Sequence, residues 1–381
     1  MSRKFLIVVC VAALLAGCAS GNRKAEEKPA ELADIDNPIK IRKLWSVSAG
    51  ADAEHLRLGL RPASDGTRVF VASYDGRVSG LDLVSGNRDW RTETGVALSA
   101  GPGYGDGLVV VGSTEGAVIA FEASDGSERW RQRVSGEILA APAIGRNTVV
   151  VRTVNGALVA LDADDGDIRW RHEQNVPRLT LRGTGRPAIG GDRVVSGFDN
   201  GRLVAIRLAD GVESWQVPMG TPRGRTELER LADIDSDVVV INQEVYAAGY
   251  QGRAVLLSIS SGQPVWAEDI SSTGALAVDW TGVYVTAADG VVRSLDRATG
   301  TPRWSQQSLL RRGVTGPEAF GQSVVVGDFE GFVHWLSTDN GNLLGRARAG
   351  KAAIVMSPLA VGDRLVVQDE AGGVHAFALQ D

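Results

Sequence analysis

The chain has 381 residues and a formal net charge of −6, with 47 glycines, 13 prolines and 2 cysteines. This glycine content is typical of many short strands joined by tight turns. No lysine- or arginine-rich block is present, which argues against a nucleic-acid partner. Length alone admits either one large β domain or several average domains.

The N-terminus has the features of a lipoprotein signal peptide. A basic pair at residues 3–4 precedes an apolar run over residues 5–15, which is too short to cross a bilayer as a helix. The motif LAGC follows directly and resembles a lipobox, in which Cys18 is lipidated and the chain is cleaved before it. We therefore predict a signal peptide over residues 1–17. Because Ala19 follows the cysteine, we expect an anchor in the outer membrane, facing the periplasm.

The segment after the lipobox is predicted to be a tether. Residues 18–37 are mostly polar or helix-breaking and offer almost nothing apolar to bury, so we expect the lipidated cysteine to be followed by flexible chain. The other cysteine, Cys10, leaves with the signal peptide. The mature chain then has no disulfide and no free thiol, and the domain over residues 38–381 must be stabilised by burial alone.

An internal repeat dominates the rest of the sequence. Each copy reads as a glycine turn, an alternating strand, a second turn and a strand ending in tryptophan, as in NGALVALDADDGDIRW, which ends at Trp170. One copy has Gly345 where tryptophan is expected. The last copy reaches the C-terminus before its fourth strand. The tryptophans of the repeat are Trp45, Trp90, Trp130, Trp170, Trp215, Trp266 and Trp304.

The repeat predicts an all-β fold. Copies follow one another at intervals of about 40 residues, and each copy reads as four short strands. Eight glycine turns predict an eight-bladed β-propeller of four-stranded blades. The strand around Trp45 is expected to complete the last blade and close the ring. The tryptophans are expected to pack between neighbouring blades.

The sequence has no recognisable catalytic or metal-binding motif. The patterns HExxH, GxSxG and the P-loop are absent, and most acidic residues precede a turn glycine, where turn formation explains them. His334 and His375 occupy the same position in successive repeats and are interpreted as strand residues rather than metal ligands. We therefore predict no catalysis, no metal and no cofactor.

Two consecutive connections between repeats are longer than the others. They lie within residues 171–200 and 216–251, and each joins the fourth strand of one blade to the next blade. Because they are neighbours around the ring, we expect them to meet on one rim. Long loops on a rigid scaffold are frequent binding sites.

The repeat resembles the tryptophan-docking repeat of quinoprotein propellers. With the lipobox and the two long connections, the chain resembles the propeller lipoproteins of the outer-membrane β-barrel assembly (BAM) machinery, from the lipobox to its end. The resemblance implies a non-enzymatic scaffold that assists assembly and insertion of barrel proteins. It implies binding to the periplasmic POTRA domains of BamA, through BamA to the other BAM lipoproteins, and to unfolded barrel precursors as a further candidate. The contact residues it implies are Leu179, Leu181, Arg182, Asp233 and Asp235.

Other interpretations remain open at this point. Leu179 and Leu181 could be inward residues of the fourth blade's first strand, and Arg182 could pair internally with Asp233. The alternative functions are a quinone-dependent dehydrogenase and a carbohydrate-binding propeller. The dehydrogenases use adjacent cysteines that the mature chain lacks, and only Trp280 and Trp335 fall outside the tryptophan register.

Overall fold

The computed structural model describes residues 28–50, 58–181, 183, 185–220 and 233–380. All regular structure in these ranges is β: 32 strands form eight four-stranded antiparallel sheets. None of the described segments is a helix long and apolar enough to cross a membrane. The first strands of neighbouring sheets contact one another around a centre, so the sheets are the blades of an eight-bladed β-propeller.

The first strand of the chain, β1 (Ile41–Ser48), belongs to the last blade, and the other strands follow in chain order. Blade 1 consists of β2 (Ala63–Ser64), β3 (Arg68–Ala72), β4 (Arg77–Asp82) and β5 (Arg88–Glu93), and blade 2 consists of β6 (Leu98–Gly105), β7 (Leu108–Ser113), β8 (Ala117–Glu122) and β9 (Glu128–Arg133). Blade 3 consists of β10 (Ala143–Gly145), β11 (Thr148–Arg152), β12 (Ala157–Asp162) and β13 (Ile168–Glu173), and blade 4 consists of β14 (Ala188–Gly190), β15 (Arg193–Gly197), β16 (Arg202–Arg207) and β17 (Glu213–Pro218).

Blade 5 consists of β18 (Val239–Ile241), β19 (Glu244–Ala248), β20 (Ala254–Ser258) and β21 (Pro264–Glu268), and blade 6 consists of β22 (Leu276–Val278), β23 (Gly282–Thr286), β24 (Val292–Asp296) and β25 (Pro302–Gln306). Blade 7 consists of β26 (Glu318–Phe320), β27 (Ser323–Gly327), β28 (Phe332–Ser337) and β29 (Leu343–Arg348), and blade 8 consists of β30 (Leu359–Val361), β31 (Arg364–Gln368), β32 (Gly373–Leu379) and β1. Strand β1 pairs antiparallel with β32, from Ile41 opposite Leu379 to Ser48 opposite Gly373. This pairing confirms the predicted ring closure.

Burial follows the position of a strand within its blade. The second and third strands, such as β11 and β12, are buried on both faces between neighbouring blades and read as continuous apolar runs. The fourth strand alternates: in β13 only Trp170 is buried, and the flanking residues face solvent. The core is therefore divided into layers between blades.

The tryptophan of the fourth strand joins one blade to the next. Trp170 Nε1 donates to the carbonyl of Leu208 at 2.8 Å, and a Cβ added to Gly211 would lie 2.8 Å from the indole. Gly211 also has a φ of 73°, so its conformation and the available space both require glycine. The same indole-to-carbonyl bond and stacking on a glycine recur at Trp45, Trp90, Trp130, Trp215, Trp266 and Trp304.

The junction between blades 7 and 8 is built differently. Gly345 stands opposite Trp335 on the neighbouring strand, whereas the other blades place tryptophan on the fourth strand opposite a smaller residue. Trp335 is fully buried and meets Phe377 of blade 8 edge to face at 5.9 Å. A Cβ on Gly345 would lie 2.8 Å from side-chain atoms of Ile39 and Ile41, so the N-terminal chain fills the space.

The chain before β1 lies along blade 7. Arg312 Nη1 donates to the carbonyl of Ala30 at 3.0 Å, and Arg346 Nη2 donates to the carbonyl of Ala33 at 2.9 Å. Leu32 packs against the apolar residues between blades 6 and 7. Within the segment predicted as a tether, two arginines and the half-buried Leu32 thus hold residues 30–33 against the propeller.

Candidate functional site

The two long connections meet on one face of the ring, the face on which the fourth strand of each blade leads into the next blade. We call it the loop face. The first connection runs from the end of β13 to the start of β14, and the second from the end of β17 to the start of β18. The backbone N–H of Leu181 donates to Asp233 Oδ2, and that of Arg186 donates to Asp237 Oδ1 at 2.9 Å. The connections therefore support each other.

Leu179 and Leu181 are exposed on this face. Their exposed fractions are 42% and 39%, and β14 begins only at Ala188. The alternative that both leucines point inward from the first strand of blade 4 is therefore wrong. The predicted contact residue Arg182 and the predicted lipidation site Cys18 lie outside the described residues.

Asp233 and Asp235 lie beneath the first connection. They are 0% and 6% exposed, so in this conformation neither carboxylate can reach a partner. Asp233 accepts the hydrogen bond from Leu181, and a Cβ added to Gly183 would lie only 1.6 Å from Asp235 Oδ1. The two aspartates thus shape the backbone that presents the leucines.

This buried site carries unbalanced charge. Arg152 forms an ion pair with Asp199, and both side chains are 5% exposed. Burial, opposed by the Leu181 hydrogen bond and by Arg152, raises the pKa of Asp233 to about 6. Burial, with repulsion from Asp199 and Asp233, raises the pKa of Asp235 to about 7 against the pull of Arg152. The described residues thus place one guanidinium among three carboxyl groups.

Sequence reasoning missed Arg152, although a signal was present. It occupies the position four residues before a turn glycine, where the other blades carry Ala72, Gly112, Gly197, Ala248, Thr286, Gly327 and Gln368. A charged residue at a position that is neutral in the other blades indicates an ion-pair partner that the other blades do not use. That partner is Asp199 of the next blade.

A second missed feature lies at the centre of the ring. Arg61, before blade 1, reaches Glu318 of blade 7 at 2.9 Å and Asp237, before blade 5, at 3.7 Å. Arg61 Nη2 also donates to the carbonyl of Pro358 at 2.6 Å. Burial raises the pKa of Glu318, while Arg61 opposes that rise. We call Arg61, Asp237 and Glu318 the central ion-pair group; it links opposite sides of the ring.

The repeat histidines pair with aspartates three residues before their turn glycines. His334 Nε2 lies 2.9 Å from Asp328 Oδ2, and His375 Nε2 lies 3.0 Å from Asp369 Oδ2. Asp328 Oδ1 and Asp369 Oδ1 also accept backbone N–H groups of their turns, so each pair braces a turn. In the part of the chain that the structure describes, no cluster of three or more potential ligands could hold a metal ion.

The fold and the loop face together define a class of protein: eight-bladed propellers of tryptophan-docking repeats in which the long connections lie on one face. The family model for "Outer membrane protein assembly factor BamB" matches residues 75–306 and 288–381. The chain belongs to this family. It is 43% identical to the Pseudomonas aeruginosa protein of that name, over 99% of both chains. It is 37% identical to the Xanthomonas campestris protein, over 100% of this chain and 98% of that one.

Solved structures agree with this assignment. The crystal structure of BamB from Moraxella catarrhalis matches with a TM-score of 0.80 at 28% identity, over 89% of this chain and 100% of that chain. A quinohemoprotein alcohol dehydrogenase from Comamonas testosteroni matches with a TM-score of 0.69 at 14% identity, over 89% of this chain and 76% of that chain. The second likeness concerns the fold alone.

Proposed function

We propose that the chain is a non-enzymatic scaffold of the outer-membrane β-barrel assembly machinery, anchored to the periplasmic face of the outer membrane by lipid on Cys18. It binds the POTRA domains of BamA through the loop face and so assists insertion of barrel proteins. The family assignment supports the assembly role. The observation that carries the interface is the pair of exposed leucines, Leu179 and Leu181, on a connection braced from below.

The roles at this interface divide by burial. Leu179 and Leu181 make the contact, because apolar side chains on a rigid backbone lose little conformational freedom when they bind. Asp233 and Asp235 are positioning residues that act through Leu181 and Gly183. Arg182 completes the predicted contact set, as the family resemblance implies.

The test is a pull-down of residues 19–381 with the periplasmic part of BamA from the same organism. Leu181→Asp should weaken binding at least about tenfold, equivalent to about 1.4 kcal/mol, because a carboxylate replaces an apolar contact. Ile168→Asp is the matched control: this side chain is 51% exposed on an outer strand and should bind like the unchanged chain. Each variant must keep its thermal transition.

The outcomes separate the two parts of the proposal. Binding that survives Leu179→Asp and Leu181→Asp would show that the interface with BamA does not include this part of the loop face. An absence of binding by the unchanged chain would remove BamA as the partner. Cys18→Ala tests the anchor: the full-length precursor carrying this change should appear in the soluble fraction after cell breakage instead of the outer-membrane fraction. A variant that still co-sediments with the membrane would contradict lipid anchoring.

A further inference from the structure

Four basic side chains lie close together on the outer side of blades 7 and 8. Two belong to β1, the fourth strand of blade 8, and two stand at the end of β29 and in the connection that follows it. We call this set the basic patch; it consists of Arg42, Lys43, Arg348 and Lys351. All four residues are exposed, and neither β1 nor β29 contains an acidic residue.

The basic patch contacts backbone carbonyls and no carboxylate. Lys43 Nζ donates to the carbonyl of Ala349 at 2.6 Å, and Arg348 Nε donates to the carbonyl of Gly350 at 3.0 Å. These adjacent carbonyls bring cations of both blades to one turn. Among the described residues, the other two members of the patch have no side-chain hydrogen bond or ion pair.

The outer strands of other blades differ in charge from this patch. Every arginine of β9 and β13 forms an ion pair, and the acidic partners are Glu115, Glu122, Glu128, Asp162, Asp164 and Glu173. On the far side of the ring, β17 and β21 carry only acidic charges, Glu213 and Glu268. Because the whole chain has a net charge of −6, the patch is a local reversal of its charge.

The acidic residues near the patch do not neutralise it. Three exposed acids precede β1 in the N-terminal segment, and none of them forms an ion pair with the patch: Glu31, Asp34 and Asp36. Asp369 lies next to Gly350, but it pairs with His375 at 3.0 Å and is only 7% exposed. The positive charge of the patch is therefore directed to solvent.

The chain that leads to the predicted lipid joins the propeller beside the patch. The Ala30 N–H donates to the carbonyl of Leu310 at 3.0 Å, on the loop face. From there the chain passes along blade 7 to Ile39, which packs against Gly345 in β29. Arg348 of the patch ends the same strand.

The length of the remaining chain limits how far the membrane lies from the patch. Cys18 stands ten residues before Lys28, the first residue that the structure describes. Ten residues of extended chain span at most about 35 Å. A bilayer that holds lipid on Cys18 is therefore within about 35 Å of the side of the ring that carries the patch.

We propose that the basic patch binds the anionic phosphate head groups of the membrane in which the chain is anchored. The inference rests on the lipid anchor proposed above: the lipid holds the chain at the bilayer, and the patch turns blades 7 and 8 toward it. A lipid chain and a basic cluster together give firmer and more oriented attachment than either one alone. Blades 4 and 5 then face away from the membrane, so Leu179 and Leu181 stay accessible to BamA.

The test uses residues 19–381, which contain all eight blades and no lipid, and sedimentation with lipid vesicles. The chain should bind vesicles of phosphatidylcholine and phosphatidylglycerol in equal parts and should not bind vesicles of phosphatidylcholine alone. Sodium chloride at about 1 M should release the chain, because the screening length falls to about 3 Å.

Two double variants locate the binding. Arg42→Glu with Lys351→Glu should weaken binding to the mixed vesicles at least about tenfold, because two cations become anions at the membrane surface. Neither side chain has a hydrogen bond among the described residues, so the thermal transition should stay unchanged. Arg202→Glu with Arg253→Glu is the matched control: it changes the net charge equally at two exposed sites on blades 4 and 5 and should bind like the unchanged chain.

The outcomes separate this inference from the proposed function. Equal binding to both kinds of vesicle, or mixed-vesicle binding that Arg42→Glu with Lys351→Glu leaves intact, would overturn the inference. An absence of binding to the mixed vesicles would overturn it too, whereas the Cys18→Ala fractionation tests the lipid anchor independently. The same double variant should bind BamA like the unchanged chain; loss of BamA binding without any vesicle binding would assign the patch to an acidic protein surface instead.

Discussion

Asp235→Asn should stabilise the folded chain at alkaline pH. The folded chain raises the pKa of this carboxyl from its ordinary 3.8 to about 7, first through burial and then through Asp199 and Asp233. The folded chain then keeps a proton that the unfolded chain releases, so the free energy of unfolding falls as the pH rises from about 4 to about 7. A difference of one in pKa corresponds to about 1.4 kcal/mol, so the full decline is about 4 kcal/mol. Asparagine has no proton to lose, so the variant should lose this part of the decline and keep the part that Asp233 and Glu318 contribute.

The assay is urea unfolding followed by tryptophan fluorescence from pH 4 to pH 8. We expect Asp235→Asn to match the unchanged chain near pH 4 and to exceed its free energy of unfolding by about 4 kcal/mol at pH 8. The exposed Asp167→Asn is the control and should reproduce the unchanged profile. A variant that is less stable at pH 8 would refute the reasoning, because it would mean that the ionised carboxylate contributes a net favourable ion pair.

Three further predictions concern the ring itself and are measured by chemical unfolding at neutral pH. Trp170→Ala should lower the free energy of unfolding by about 3–5 kcal/mol, since it empties one interblade contact. Gly345→Trp should cost at least about 1–3 kcal/mol, because the new side chain meets Ile39; an unchanged stability would show that the N-terminal chain yields easily. Arg61→Met should lower the free energy of unfolding by about 1–3 kcal/mol, because it removes the cation that Asp237 and Glu318 share while both are partly buried, and adding Glu318→Gln should restore part of the loss.

The repeat made the architecture predictable. Seven of the eight fourth strands carry a tryptophan at the same position, because seven of the eight blades make the same contact with a turn glycine of the next blade. The strand around Trp45 was recognisable as the missing part of the last blade for the same reason, and its pairing with β32 confirms it. A local pattern that is repeated eight times carries long-range information that a single copy lacks.

Contacts that occur once in the ring were not predictable in this way. Arg61 and Glu318 are separated by 257 residues in the chain, and Glu318 begins a strand where the neighbouring blades carry Leu276 and Leu359. Asp233 and Asp235 stood in a polar connection, where acidic side chains are normally exposed. Their burial depends on Arg152, which arrives from blade 3, and on the close approach of Gly183. The sequence therefore located the long connections but not the burial of these two aspartates.

The absence of a tryptophan at Gly345 and the closure of the ring have the same cause: an N-terminal strand forms the fourth strand of blade 8. A docking tryptophan needs the glycine of the turn between the third and fourth strands of the next blade, as Trp304 needs Gly341. Blade 8 has no such turn, because its fourth strand comes from the N-terminus. Blade 7 instead carries a tryptophan on its third strand, Trp335 opposite Gly345, and this side chain packs against Phe377. The space left on the fourth strand admits Ile39, so the chain entering the ring becomes part of the junction that it closes.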